Sequence, residues 1–383
     1  MNFSSIKERI IFYNFPVILF CLIPLFLVTG PFLSDLSISI IGLLYIIYCV
    51  KKKDFYYFKN KYFYFFLIFW IYLNANSFIN NFNLDSLKIS FFYFRYAFFV
   101  IAIIALLDFE ESFLKYFFYC IFVCFTALIL DGFFQYFFGE NILGWKSSVR
   151  VSSFFGDEKI LGSYLSRLWP IFFGLSIFIF KKENKWFPLF VLIFILSEAL
   201  IFLSGDRTAF FNINLSAIFV ILFSSNLAKL RLFTLISSIA LLVIISLINP
   251  TAKERVIDQT FDQMNLLDEN KKEQEGLYIF SKEHTHHYIT AYRMYLDNKI
   301  LGVGVKNFRK FCSNEKYIES QLSCASHPHN TYLQTLSEIG SIGFLFLVVI
   351  IFYFCANIIK HIKLRFKGKY FFKDFEICIL SGI

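Results

Sequence analysis

The 383 residues are 57% hydrophobic and 21% aromatic, with only 17% charged and a mean hydropathy of +0.61. That composition excludes a soluble domain, which cannot hide so much apolar surface, and points to an all-α polytopic membrane protein. The formal net charge of +9 lies at the ends of apolar runs rather than on one folded face, which argues against a nucleic-acid partner.

Taken in chain order, apolar spans are expected near 11–29, 33–50, 62–79, 89–107, 113–138, 160–180, 186–203, 208–224, 230–248 and 338–358. Each is near the ~20 residues a helix needs to cross hydrocarbon. An eleventh begins at Glu376 and meets the end of the sequence at Ile383, so it is expected to continue beyond it. No cleavable signal peptide is evident: Met1–Ile10 is polar, and Thr29-Gly30-Pro31 follows the first span. The organisation expected is nine spans over 1–248, a large loop with amphipathic helices over 249–333, and C-terminal spans over 334–383, about 11–12 spans in all.

Alternate connections differ in charge. "KKKDFYYFKNK" (51–61), "KKENK" (181–185), "NLAKLR" (226–231) and "KHIKLRFKGKYFFK" (360–373), with Lys7 and Arg9, form a basic set. "TGPFLSD" (29–35), "NNFNLDSLK" (80–88) and "SGDRTA" (204–209) are nearly uncharged. The basic set is expected in the cytoplasm, which puts the polar segment Asn249–Asn330 outside, in a bacterium the periplasm. Within it, 251–276 reads as solvated helix and loop, and "HHYITAYRMYLDN" (286–298) as an amphipathic helix. Cys312 and Cys324 fall in this loop, where an oxidising compartment favours a disulfide; the other reading is two unpaired thiols.

Charged groups inside spans are costly and mark functional cavities or structural pairs. Arg95, Asp131, Arg167 and Glu198 each lie about five to eight residues from the external end of a span, roughly 7–12 Å deep at 1.5 Å per residue. Their common depth favours a polar cavity opening outward. Arg150, in "SVRVSSFFGDEKILGSYLS", and Arg207, in "SGDRTAFF", stand at its rim, where positive charge is otherwise avoided. Their guanidinium forks suit phosphate oxygens. Thr208 is the expected cap of the following helix.

"SHPHNTYLQTLSEIGSIG" (326–343) closes the loop. Thr331-x-x-Gln334 reads as a capping box that starts a helix there, which sets His327 and His329 at the external membrane face. A structural histidine, a catalytic base and a metal ligand are the readings open to His329. "HTHH" (284–287) lies in the same loop, yet no acidic or Cys set at zinc spacing accompanies it and no Asp-x-Asp occurs. No metal and no cofactor is expected.

His329-Asn330, nine residues, then Gly340-Ser341-Ile342-Gly343 resembles the His-[Asn/Ser/Gln]-x9-Gly-x-x-[Gly/Thr/Tyr] pattern of bacterial O-antigen ligases and polymerases. "SGDRTA" resembles their Ser-x-Arg-[Ser/Thr] segment. "NKILGVGVKNFRKFC" (298–312) resembles their Pro-[Leu/Ile]-x-Gly-x-Gly-x-x-x-Phe segment, with Lys299 where proline is usual. The likeness covers roughly 140–350 closely. It implies a GT-C-type membrane glycosyltransferase of the bacterial inner membrane, its active site facing the periplasm. The donor would be an undecaprenyl-diphosphate-linked glycan, and the acceptor lipid A-core or another glycan, with membrane lipids around the spans. His329 would act as base or acceptor-positioning group, and Arg207 and Arg150 would hold the diphosphate. Arg293, Arg95 and Arg167 are weaker candidates, and Asn330, Glu338 and His327 would support. A polymerase or a protein O-oligosaccharyltransferase shares these motifs. A transporter or flippase without chemistry would carry inverted repeats and midplane helix breaks, which the sequence lacks.

Overall fold

The computed structural model describes residues 1, 3, 5–80, 84–146, 150–180, 185–248, 254, 258, 261–262 and 282–383. Most of the 251–276 stretch and the "KKEN" part of the basic set therefore lie outside the described residues. In chain order the helices are α1 (Ile6–Thr29), α2 (Pro31–Lys52), α3 (Lys61–Ile79), α4 (Leu84–Phe109, interrupted at Tyr93), α5 (Leu114–Phe138), α6 (Leu161–Ile179) and α7 (Phe187–Leu203). Then follow α8 (Arg207–Phe223), α9 (Ala228–Ile248), α10 (Lys282–Asp297), the short α11 (Phe308–Phe311), α12 (Thr331–Arg365) and α13 (Asp374–Leu380). No strand is present among the described residues. Helices are what a membrane demands, because each satisfies its own backbone groups away from water.

Among the described residues, eight of these helices are long and apolar enough to cross a membrane: α1 to α6, α9 and α12. The apolar α7 and α8, at 17 residues each, correspond to two more of the expected spans. This is a multi-pass, all-α membrane protein. The ends of the helices follow local chemistry. The Phe63 N–H donates to Asn60 Oδ1 (2.9 Å) at the start of α3, and Gly139 in the left-handed region (φ 83°) stops α5. The cap of α8 is Asp206, whose Oδ1 accepts the Ala209 N–H at 3.0 Å. Thr208, the expected cap, is instead the second residue of the helix.

The chain forms two compact units, each discontinuous in sequence. The first comprises Met1, Ile38–Asp108 and Thr260–Ile359. Here Gly42 of α2 lets the backbone of α4 close in, so that an added Cβ would sit 3.1 Å from Phe98 Cβ. Trp70 Nε1 of α3 donates to the Phe91 carbonyl (2.9 Å), and the Ser77 and Ser90 hydroxyls share a bond of 2.5 Å.

The second unit comprises Asn2–Ser37, Phe109–Gln259 and Lys360–Ile383. Its centre is aromatic: Phe172 of α6 meets Phe118, Phe125 and Phe194 with ring centroids 4.9–5.2 Å apart. Gly174 of α6 admits α13, the Phe375 carbonyl lying 2.9 Å from where its Cβ would be. Beneath this core Arg231 of α9, fully buried, pairs with Glu198 of α7 at 2.5 Å and lies over the Trp169 ring at 4.2 Å. Ser238 donates to the other Glu198 oxygen.

Glu198 is thus a structural ion-pair partner rather than a cavity wall, and Arg231, expected among the loop cations, is its counter-ion. Removing one partner strands the other in apolar surroundings, which costs about 3–5 kcal/mol. Arg231→Met should accordingly destabilise the purified protein by that amount, and Arg231→Met/Glu198→Leu should recover most of it. Thermal unfolding in detergent reads the difference; a double variant as unstable as the single one would rule out a stranded charge as the cause.

Candidate active site

Two glycine segments meet in the first unit. The chain from Lys299 to Gly304 crosses the first turns of α12 by backbone hydrogen bonds alone. Val303 N–H donates to Ser337 O and Gly304 N–H to Glu338 O, both at 2.8 Å, and Ser341 N–H donates to Lys299 O at 2.8 Å. Such an approach leaves no room for Cβ atoms. One at Gly302 (φ +70°) would lie 2.5 Å from the Glu338 carbonyl carbon, and one at Gly340 (φ +67°) would overlap the Ile300 carbonyl. Gly340 also departs from helical φ/ψ within α12, and the resulting kink opens the backbone to its neighbour.

The same segment is fastened from below by polar residues that the sequence pattern left unremarked. Asn76 of α3 donates to Leu301 O (2.6 Å), and Ser86 of α4 donates to Val305 O (2.8 Å). Both are buried. The signal for Asn76 was present in "LNANSF" (73–78), an unusually polar run for a membrane span.

Asn330, not Thr331, caps α12: its Oδ1 accepts the N–H groups of Tyr332 (3.0 Å) and Leu333 (3.1 Å), and its carbonyl accepts that of Gln334 (2.8 Å). The expected capping box is not formed, because Gln334 reaches forward along the helix to Glu338 Oε2 (3.1 Å) instead. Glu338 is buried, and its Oε1 accepts the Phe308 N–H at the start of α11 (3.2 Å). It therefore ties α12 to α11.

Directly before the cap, His329 is exposed and takes φ +56°. A non-glycine residue rarely adopts that conformation, and here it turns the imidazole out of the path of the helix. The His327 ring lies 4.2 Å from the His329 ring, centroid to centroid, and its Nδ1 shares a hydrogen bond of 2.8 Å with the Ser326 hydroxyl. Burial, His329, Lys306 and Arg309 together hold the His327 pKa below the usual imidazole value.

Arg293 of α10 is committed to the loop: it donates to Ile318 O (2.9 Å) and forms an ion pair with Glu319. Cys312 and Cys324 are joined in a disulfide, Cα–Cα 5.1 Å, over a small core of Met294, Val303, Phe308 and Tyr317. Arg95 lines a mostly apolar cavity of about 270 Å³ with Ser39, Gly42 and Phe98, and donates to Tyr96 Oη at 3.0 Å.

Arg150, Arg167 and Arg207 belong to the second unit. Val151 N–H donates to the Leu203 carbonyl (3.3 Å), which sets Arg150 beside the turn leading into Arg207, the first residue of α8. The loop carrying Arg150 is held by two buried side chains. Asp131 accepts from Ile142 N (2.9 Å) and Ser153 Oγ (2.6 Å), and Gln135 Oε1 accepts from the Ser152 and Ser153 N–H groups (2.9 and 2.8 Å). Asp131 and Glu198 therefore serve separate networks within this unit rather than one common cavity. Arg167 is exposed on α6. Among the described residues, no group of three His, Cys, Asp or Glu side chains is arranged to hold a metal ion.

Residues 189–348 match the family model described as O-antigen ligase. No curated protein matches the sequence.

Proposed function

From its O-antigen ligase family domain, one of membrane enzymes that act on glycans, we propose that this protein transfers a glycan from undecaprenyl diphosphate to an acceptor hydroxyl. The acceptor would be lipid A-core or a related surface glycan, reached at the periplasmic face of the inner membrane. The observation that carries this reading is the His329-Asn330 to Gly340 motif, in which each residue has a distinct physical task. Asn330 caps, Gly340 admits the neighbouring backbone, and His329 is left exposed at the helix start with no capping duty.

In this reading the acceptor oxygen attacks the anomeric carbon, and the bond from that carbon to the diphosphate oxygen breaks with its electron pair leaving on the diphosphate. The acceptor proton passes to His329, imidazole being the side chain that most often serves as a general base. Charge grows on the leaving diphosphate and needs fixed cations. Arg207 and Arg150 supply them, with Arg95 and Arg167 as weaker candidates. Arg293, engaged with Glu319, supports the loop instead. The basic loops at alternate helix ends support the orientation. An alkaline-phosphatase fusion within 249–330 should be active, and a green-fluorescent fusion there dark.

The function is tested by incubating purified protein with a lipid-linked glycan and candidate acceptors. Transfer to lipid A-core is expected. Extension of one lipid-linked glycan by another would identify a polymerase, and modification of a protein a protein O-oligosaccharyltransferase. No transfer under any pairing would leave transport as the surviving explanation.

A further inference from the structure

His329 sits among three other imidazoles of the first unit. The ring centroids of His327, His284 and His287 lie 4.2, 5.3 and 5.5 Å from its own. His284 and His287 are three residues apart on α10 and share a face, with ring centroids 6.1 Å apart. His287 is only 8% exposed, and its Nδ1 has no hydrogen-bond partner among the described residues. A buried polar atom with no hydrogen bond is unfavourable, so a ligand that meets it is favoured.

The charged and titratable groups around the cluster are Glu283, His286 and Tyr288 on α10, with Lys306 and Arg309 from the glycine segment and α11. Two carboxyl groups, Glu283 and the buried Glu338 near Lys306, stand against two permanent cations and the imidazoles. A neutral sugar hydroxyl would satisfy one nitrogen and leave the repulsion in place. An oxyanion presents several acceptor oxygens, which suit several N–H donors at once and offset that repulsion.

We propose that His284, His287 and His327, with Lys306 and Arg309, form an oxyanion subsite for a phosphoryl group carried by the acceptor glycan. The assignment rests on the reading of His329 as the acceptor-side base. A phosphoryl group held beside that base is assigned to the substrate the base serves, the acceptor. Burial, His329 and His284 push the His287 pKa below the usual value, and His327 is lowered similarly. In the absence of an anion both groups are thus biased toward the neutral form, and a bound anion draws protons onto them. The bound form holds more protons than the empty one, so affinity rises as pH falls, by about tenfold per pH unit for each proton taken up.

The experiment is imidazole nitrogen NMR on the full chain in a maltoside detergent, which brings no phosphate of its own. The sequence has six histidines, so each signal is assignable by single substitution, and His361, in the second unit, serves as reference. On titration with methyl phosphate, His284, His287 and His327 are expected to shift toward the protonated form, with tighter binding at pH 6 than at pH 7.5. His284→Gln/His287→Gln should weaken binding at least about tenfold with an unchanged helical circular dichroism. Unmoved signals, or equal binding by the double variant, would overturn the subsite.

In the transfer assay, the double variant should lower the preference for a phosphorylated over a phosphatase-treated acceptor by about tenfold. A raised KM for the donor with that preference intact would assign the anion to the donor and overturn the proposal. The NMR readout needs no turnover, so failure of the transferase reading and failure of the subsite are seen separately.

Discussion

His329→Ala and Arg207→Ala are each expected to abolish glycan transfer while the protein still inserts and folds. Loss of a general base lowers turnover by about 10²–10⁴, and loss of a preorganised cation or donor at the developing charge by about 10²–10³. The cap of α8 is Asp206 and that of α12 is Asn330, so both helix starts survive the substitutions. His329 stands at φ +56°, a conformation asparagine tolerates better than alanine. His329→Asn is therefore the cleaner test: backbone kept, base removed. Arg207→Lys should also be poor, because a point charge does not reproduce the planar fork. Turnover near wild type in His329→Asn would take the histidine out of the chemistry. Activity lost in EDTA and restored by a divalent ion would replace the arginine-based account with a metal-based one.

Gly340→Ala is expected to be as damaging as loss of the base, for a purely steric reason. The added carbon would collide with the Ile300 carbonyl, a backbone group that cannot turn aside as a side chain does. Gly302→Ala meets the Glu338 carbonyl carbon at 2.5 Å from the other side of the same contact. Either collision separates segment 299–304 from α12, breaks the Glu338 bond to α11 and displaces His329. Gly139→Ala is the control. Its φ is also positive (+83°), yet nothing lies within 4 Å of the new carbon, so it carries only the left-handed conformational cost of about 1–2 kcal/mol. Transfer activity and thermal unfolding of the three variants, side by side, decide the matter. Equal behaviour of Gly340→Ala and Gly139→Ala would show that conformation, not collision, governs the position.

Much of this was legible in the sequence because a membrane simplifies the reading. Runs that avoid water had to become α1 to α9 and α12, and most of their limits fall within about five residues of the expected spans, while α12 (Thr331–Arg365) extends well past the expected 338–358 at both ends. The His329–Gly340 spacing was equally plain. What pattern cannot supply is the identity of a partner. Arg231, three residues into α9, looks like an interfacial cation until Glu198 and Trp169 are seen around it. Asp131 reads as a cavity residue but holds a loop from ten to twenty-two residues away. Thr331-x-x-Gln334 has the letters of a capping box, yet the Asn330 side chain takes the first N–H groups of the helix and Gln334 bonds Glu338. The four imidazoles come from two segments some forty residues apart, and only the folded chain brings them into contact.

The crossing of Lys299–Gly304 over the kink of α12 is made by main-chain atoms, so its register does not depend on which side chains flank it. That makes it a seam at which related proteins can be spliced. A chimera that exchanges residues 299–342, with both glycines kept, should preserve the junction and carry His329 across together with the other protein's recognition surface. Acceptor preference would then travel with the exchanged segment, while Arg150 and Arg207 stay those of the host.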